Sequence, residues 1–314
     1  MSQPFDQRCL RTVHLVPLTA YDESGAPDLD AQAEHIARMS AAGITAFLPA
    51  AGTGEFHSLS ADEVVDQVRV TCESSGDEAV VFAPVGYQVQ HAIEIGERSM
   101  ELGADGVMFM PFAHPYLCDE GVRDYILTVL DAVTAPALIY KKGDIPSDKQ
   151  LLEMADLPLV VGVKYAVNDM PRFRRTVLAD GGRIEWLCGT AERFAPYYML
   201  AGSPGYTTGV GNLCPHLTLA MHAAFTAGEY SEGMRLQELL LPVEDYRARQ
   251  GDSFNVSMLR YGMEVLGHRF GPPRPPQRRL TPAEEREIAA LLKPVLAAEA
   301  QMQQELAASG LTES

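Results

Sequence analysis

Leu102-Gly103-Ala104-Asp105-Gly106-Val107-Met108-Phe109-Met110-Pro111 joins the end of a helix to a buried strand. Glycine just past a helix accepts the left-handed backbone that ends it, and the unbroken apolar run suits a strand covered on both faces. The same joint recurs at Ala42-Gly43-Ile44-Thr45-Ala46-Phe47-Leu48-Pro49 and at Ala201-Gly202-Ser203-Pro204-Gly205-Tyr206-Thr207-Thr208. The three glycines stand 60 and 99 residues apart, which leaves room for two and then four βα units of roughly 25 to 30 residues. These runs are therefore strands 2, 4 and 8. The other strands fall where that spacing needs them, at residues 13–18, 79–84, 137–140, 159–164 and 185–188. Eight short strands alternating with helical stretches predict an α/β fold, a closed (β/α)8 TIM barrel.

From residue 215 onward the periodicity turns helical, over 217–227, 231–241, 257–266 and 282–308. We expect residues 1–215 to form the barrel core. Residues 216–314 should add the last barrel helix and a C-terminal helical extension, the two segments making one structural unit. The Pro-rich stretch 271–276 is a link within that extension, because too little chain follows it to fold alone. A nucleotide-binding sheet would show a glycine-rich phosphate loop. Gly52-Thr53-Gly54 lacks both the third glycine and the Lys-Ser/Thr that such loops carry.

The chain has 314 residues, 46% hydrophobic and 21% charged, with a net charge of −17. That charge repels nucleic-acid phosphates and anionic lipid heads, and no basic stripe offsets it. Without an 18-residue apolar run or a signal-peptide pattern near Met1, we expect a cytoplasmic protein with no membrane partner. Cys9, Cys72, Cys118, Cys188 and Cys214 are odd in number and widely spaced, so we expect reduced thiols, mostly buried. The eight histidines lack the helical spacing of a metal site, and we expect neither a metal nor a bound cofactor. His57 and His114 follow strands 2 and 4 and could touch substrate, but are expected rather at the surface or behind the site.

In such barrels the chemistry sits at the C-terminal ends of the strands, so a polar residue closing an apolar strand is informative. Lys164 closes Leu159-Val160-Val161-Gly162-Val163. A buried ammonium loses protons readily and becomes a nucleophilic amine near neutral pH. The alternative is a lysine reaching to solvent or pairing with Asp169. Tyr140 closes the neighbouring strand 5 and could relay protons beside that amine, or could simply pack at the rim. The turn Ala51-Gly52-Thr53-Gly54-Glu55-Phe56 offers backbone N–H groups and the Thr53 hydroxyl as a carboxylate nest, or is an ordinary tight turn. Glu55 is expected to be structural, bonding nearby backbone.

With these residues in view, the chain resembles the dihydrodipicolinate synthase/N-acetylneuraminate lyase superfamily. The features that carry the resemblance are the Gly-Thr-Gly-Glu turn, Tyr140, Gly162-Val163-Lys164 and the Gly-Ala-Asp-Gly joint. The resemblance implies that Lys164 forms a Schiff base and Tyr140 shuttles protons, that Thr53 and Gly54 hold the carboxylate of a 2-oxo acid, and that Thr207 lines the site. It also implies a homo-oligomer, dimer or tetramer.

The synthases proper carry a second threonine before the strand-2 Thr-Gly, a tyrosine pair after strand 4 and an arginine after the strand-5 tyrosine. Here those places hold Gly52, Phe112 with Ala113, and no arginine between Tyr140 and Lys164. The run Gly52-Thr53-Gly54-Glu55-Phe56-His57-Ser58-Leu59-Ser60 and the stretches around Pro242, Asn255 and 271–282 look instead like 5-dehydro-4-deoxyglucarate dehydratases. That subfamily has Tyr-Asn-Arg on strand 5 and Lys-Asp-Gly on strand 6. This chain has Tyr140-Lys141-Lys142 and Lys164-Tyr165-Ala166. An aldaric substrate carries a second carboxylate, and Lys142 stands where the dehydratases place arginine; the alternative is a solvated lysine pair on a loop.

The implied activity is a class I Schiff-base lyase, a decarboxylating dehydratase of a 2-oxo sugar acid. Two rivals remain open: a pyruvate-dependent aldolase or condensing enzyme, and a catalytically silent barrel that binds a 2-oxo acid.

Overall fold

The computed structural model describes residues 5–308; residues 1–4 and 309–314, the outer ends of the two expected segments, lie outside the described residues. The first half of the barrel runs β1 (Val13–Leu15), α1 (Leu29–Ala41), β2 (Ala46–Phe47), α2 (Ala61–Ser74), β3 (Val80–Val85), α3 (Val89–Glu101), β4 (Gly106–Phe109) and α4 (Asp119–Val133). The second half runs β5 (Ala137–Lys141), α5 (Asp148–Met154), β6 (Val160–Tyr165), α6 (Met170–Asp180), β7 (Glu185–Cys188), α7 (Ala191–Leu200), β8 (Tyr206–Thr208) and α8 (Pro215–Ala227). All eight strands pair in parallel and in chain order, and β8 closes on β1, so the fold is a (β/α)8 TIM barrel. The extension comprises α9 (Tyr230–Arg247), α10 (Arg249–Asp252), α11 (Asn255–Val265) and α12 (Pro282–Ala308).

The three glycine joints end their helices as the sequence predicts, with Gly43, Gly103 and Gly202 at φ 98°, 95° and 107°. Burial of whole strands follows. Every residue of β4, β6, β7 and β8 is buried, because helices cover the outside and side chains fill the inside.

Three expectations need correction. Strands 1 and 2 are shorter than the apolar runs, since the chain leaves the ring after Leu15 and Phe47 to build the mouth. The helix expected to end before Pro242 continues to Arg247, with the proline accommodated inside it. Only Cys188 and Cys214 are buried, while Cys9 and Cys72 are half-buried and Cys118 is exposed; the last caps α4, its sulfur accepting from the Gly121 N–H.

The extension is fastened to the turn after β2 by two arginines. Arg260, on α11 and 2% exposed, pairs with Glu55 and donates to the Thr19 carbonyl at 2.7 Å. Arg274, in the Pro-rich link, grips Glu63 at 2.7 Å and the Gly25 carbonyl at 2.7 Å. Both guanidinium groups lie 4.5 Å from the centre of the Tyr21 ring. Glu55 is structural, as expected, though its main partner is Arg260 rather than local backbone. It also accepts from the Arg274 N–H.

Candidate active site

At the C-terminal end of the barrel a cavity of about 410 Å³ opens between the strand ends and the extension. Lys164 and Tyr140 stand side by side in it because β5 and β6 are in register, residue 140 opposite 164. The Lys164 Nζ lies 4.0 Å from the centre of the Tyr140 ring. Gly189 leaves the space for this: a β-carbon there would stand 3.0 Å from Lys164 Cγ.

Lys164 is 3% exposed, and among the described residues no carboxylate pairs with it. Asp169, the partner considered from sequence, instead caps α6 by accepting from the Arg172 N–H at 2.9 Å. Burial without a counter-ion brings the Lys164 amine down to about 7, and the charge of Lys142 adds to the effect. The Tyr140 phenol is pushed up to about 12, chiefly by burial and further by the Asp252 carboxylate. At neutral pH the pair is thus an amine that is partly neutral beside a phenol that keeps its proton.

The other residues singled out from sequence separate into those that line the cavity and those that do not. Thr53, Lys142 and Thr207 line it, whereas Gly54 does not. Gly54 is needed for the turn itself, since a β-carbon would come within 2.9 Å of Ala50 N and Pro17 O. Its carbonyl accepts from the Thr19 hydroxyl at 2.7 Å. Among the described residues neither the Thr53 nor the Gly54 N–H meets an acceptor, and that of Thr53, which lines the cavity, is available to an anion. His57 packs edge-on to Phe56 and Tyr87, and His114 bonds the Tyr116 N–H at 3.1 Å; neither lines the cavity.

The two adjacent lysines part company. Lys142 lines the cavity, while Lys141 is wholly buried on the outer side of β5, so they are not a solvated pair. Several lining residues were not among the expected site residues: Asn168, Arg193, Arg247, Asp252 and Asn255. Arg247 pairs with Glu244 and donates to Asn255 Oδ1 at 2.9 Å. It lies against the end of β8, where a β-carbon on Gly209 would collide with its Nη2 at 2.3 Å.

These residues come from the loop after β6, the first turn of α7 and the extension. Asn255 falls in a stretch that carries the dehydratase likeness, and Asp252 closes Gln250-Gly251-Asp252, a glycine flanked by polar residues whose three backbones are left-handed in the structure.

The model of the Dihydrodipicolinate synthetase family matches residues 10–295. The chain belongs to this family. It is 30% identical to a protein of Pseudomonas putida named 5-dehydro-4-deoxyglucarate dehydratase, over 88% of this chain and 93% of that protein. A Saccharopolyspora erythraea protein described as a "Probable 5-dehydro-4-deoxyglucarate dehydratase" is 31% identical, over 88% and 91%. Among solved structures, dihydrodipicolinate synthase from Bacillus clausii superposes with a TM-score of 0.88 at 34% identity, covering 91% of this chain and 98% of that one.

Among the described residues of this family member no cluster of three or more His, Cys, Asp or Glu could hold a metal ion, and no helix is long and apolar enough to cross a membrane.

Proposed function

We propose that the protein is a class I Schiff-base lyase acting on a 2-oxo sugar acid, a decarboxylating dehydratase of the 5-dehydro-4-deoxyglucarate type. The observation that carries this reading is Lys164: buried, without a carboxylate partner, its amine brought to about 7, and stacked on the Tyr140 ring at 4.0 Å. The neutral amine attacks the ketone, and Tyr140 passes the protons that convert the alkoxide and amine into water and an iminium. Thr53, through its hydroxyl and its N–H, holds the carboxylate next to the ketone, Gly54 shapes the turn that presents it, and Thr207 borders it. The iminium draws electrons from the adjacent carbon. Loss of a proton there gives an enamine, which expels the β-hydroxyl as water, and carbon dioxide follows from the far end. Lys142 receives the second carboxylate.

A second reading, a pyruvate-dependent aldolase or condensing enzyme, is favoured by the likeness to the B. clausii synthase. It uses the same iminium. Incubation with pyruvate followed by borohydride is expected to leave an adduct mass on Lys164. No adduct with pyruvate or with a deoxy-oxo sugar acid would sink both readings and leave a barrel that binds a 2-oxo acid without turning it over. Release of a semialdehyde and carbon dioxide from 5-dehydro-4-deoxyglucarate separates the dehydratase from the aldolase.

A further inference from the structure

Successive residues of a strand face opposite sides, so Tyr140 and Lys142 turn to the cavity while Lys141 turns to the helices. What Lys141 meets there is specific. Its ammonium donates to the carbonyls of Gly143 at 3.0 Å, Asp144 at 3.3 Å and Pro146 at 2.5 Å, and it lies 3.6 Å from Asp148 Oδ1. Gly143, at φ 89°, lets the chain fold back so that three carbonyls converge on one cation.

Asp148, near the start of α5, is the other end of the arrangement. It accepts from the Tyr165 hydroxyl at 3.0 Å, from Arg172 Nε at 2.6 Å and from the Thr176 hydroxyl at 3.2 Å. Tyr165 is the register partner of Lys141 on β6. The two residues that most plainly depart from the dehydratase pattern, Lys141 and Tyr165, therefore meet at one carboxylate. Residues 141–148 form a loop closed on itself, and Lys142 lies inside the closed span.

We propose that Lys141 is a positioning residue: with Tyr165 and Asp148 it clamps the loop after β5 so that Lys142 is presented at the cavity for the far carboxylate of a dicarboxylic 2-oxo acid. The proposal rests on the reading of Lys142 given above. Lys142 itself is solvent-exposed, and an ammonium on a flexible four-carbon stem grips a carboxylate with little directional preference. Fixing its backbone reduces the disorder that binding would otherwise have to remove. The clamp does for a point charge part of what a rigid guanidinium fork would do for itself.

The test compares 2-oxoglutarate with 2-oxopentanoate, probes of equal chain length with a carboxylate or a methyl end, by titration calorimetry on the full chain. In Lys141→Met, and more mildly in Tyr165→Phe, binding of 2-oxoglutarate should weaken about tenfold, while 2-oxopentanoate stays within about twofold. In a Lys142→Ala background, Lys141→Met should add nothing further for 2-oxoglutarate. Equal weakening for both probes, full additivity with Lys142→Ala, or no change in either variant would each overturn the clamp. Should Lys141→Met fail to fold, Tyr165→Phe decides by the same selectivity. Borohydride trapping of the wild type with pyruvate reports separately on Lys164, so loss of the Schiff-base reading and loss of the clamp give different results.

Discussion

Lys141 and Lys164 sit on neighbouring strands, one facing the helices and one facing the cavity, and both are buried. Lys141 has three carbonyls and a nearby carboxylate around its ammonium. Lys164 has the face of a phenol. Burial alone disfavours either cation, and Lys141 too is lowered from its ordinary value by burial, with Asp148 opposing the shift. The difference lies in what the fold supplies in return. On the outer face the desolvation is offset by partners, so the lysine serves as a rivet. On the inner face no carboxylate offsets it and the Tyr140 ring does so only in part, so the remaining cost appears as reactivity of the amine.

The sharpest break of this comparison is Lys164→Met. It should abolish adduct formation and cut turnover on the order of 10⁴-fold or more. The same substitution should stabilise the folded protein. The Lys164 amine is lowered from 10.5 to about 7 on folding, so the unfolded chain binds the extra proton between those values. The penalty is full below about pH 7 and vanishes above about 10.5, reaching up to about 5 kcal/mol. The gain in melting temperature of Lys164→Met over wild type should therefore be large at pH 6 to 7 and disappear toward pH 10.5. A gain independent of pH would show that the amine is not desolvated as described.

Tyr140→Phe keeps the ring beneath the ammonium but removes the proton carrier, and should lower the rate of adduct formation by about 10²- to 10³-fold in rapid-quench trapping. Lys141→Met should act in the opposite direction to Lys164→Met, destabilising by about 2 to 4 kcal/mol because three carbonyls and Asp148 lose their cation; chemical denaturation measures it. A smaller change is expected in the pH profile of wild-type trapping, whose rate should rise about tenfold per pH unit below 7 and level off above it. The smallest is Asp252→Asn, which removes one charge that raises the Tyr140 phenol. Its pKa should fall by a few tenths of a unit to about one unit, read from the ultraviolet titration of the phenolate.

The ring was legible because glycine joints and apolar runs are local signals, and Gly43, Gly103 and Gly202 all adopt the backbone those joints require. Strand ends were less legible at β1 and β2. Val16 N still bonds the Thr208 carbonyl and Leu48 N the Leu15 carbonyl after the strands end, so the apolar pattern outlasts the ladder. In the site, residues borne by strands could be placed by counting from the strand end. Strict alternation from Tyr140 would also have sent Lys141 and Lys142 to opposite faces, a step hidden by reading them as a pair. Arg247 was not legible, and the stretches holding Asp252 and Asn255 could be noticed but not placed in the site, because the period of a helix says which residues share a face but not where that face docks.

The fastening of the β2 turn has a consequence for biosynthesis. Thr53 and Gly54 are made early, yet Arg260 and Arg274, which hold Glu55 and Glu63 on either side of the following turn, are translated some two hundred residues later. A growing chain can therefore have every strand of the ring in hand while the turn that is to receive the substrate's first carboxylate still lacks its anchors. The reactive amine of Lys164 also exists before that turn is secured. Completion of the pocket is tied to residues translated after the whole ring, so a chain cut short before Arg260 would carry the nucleophile without the fastened turn that selects what it meets.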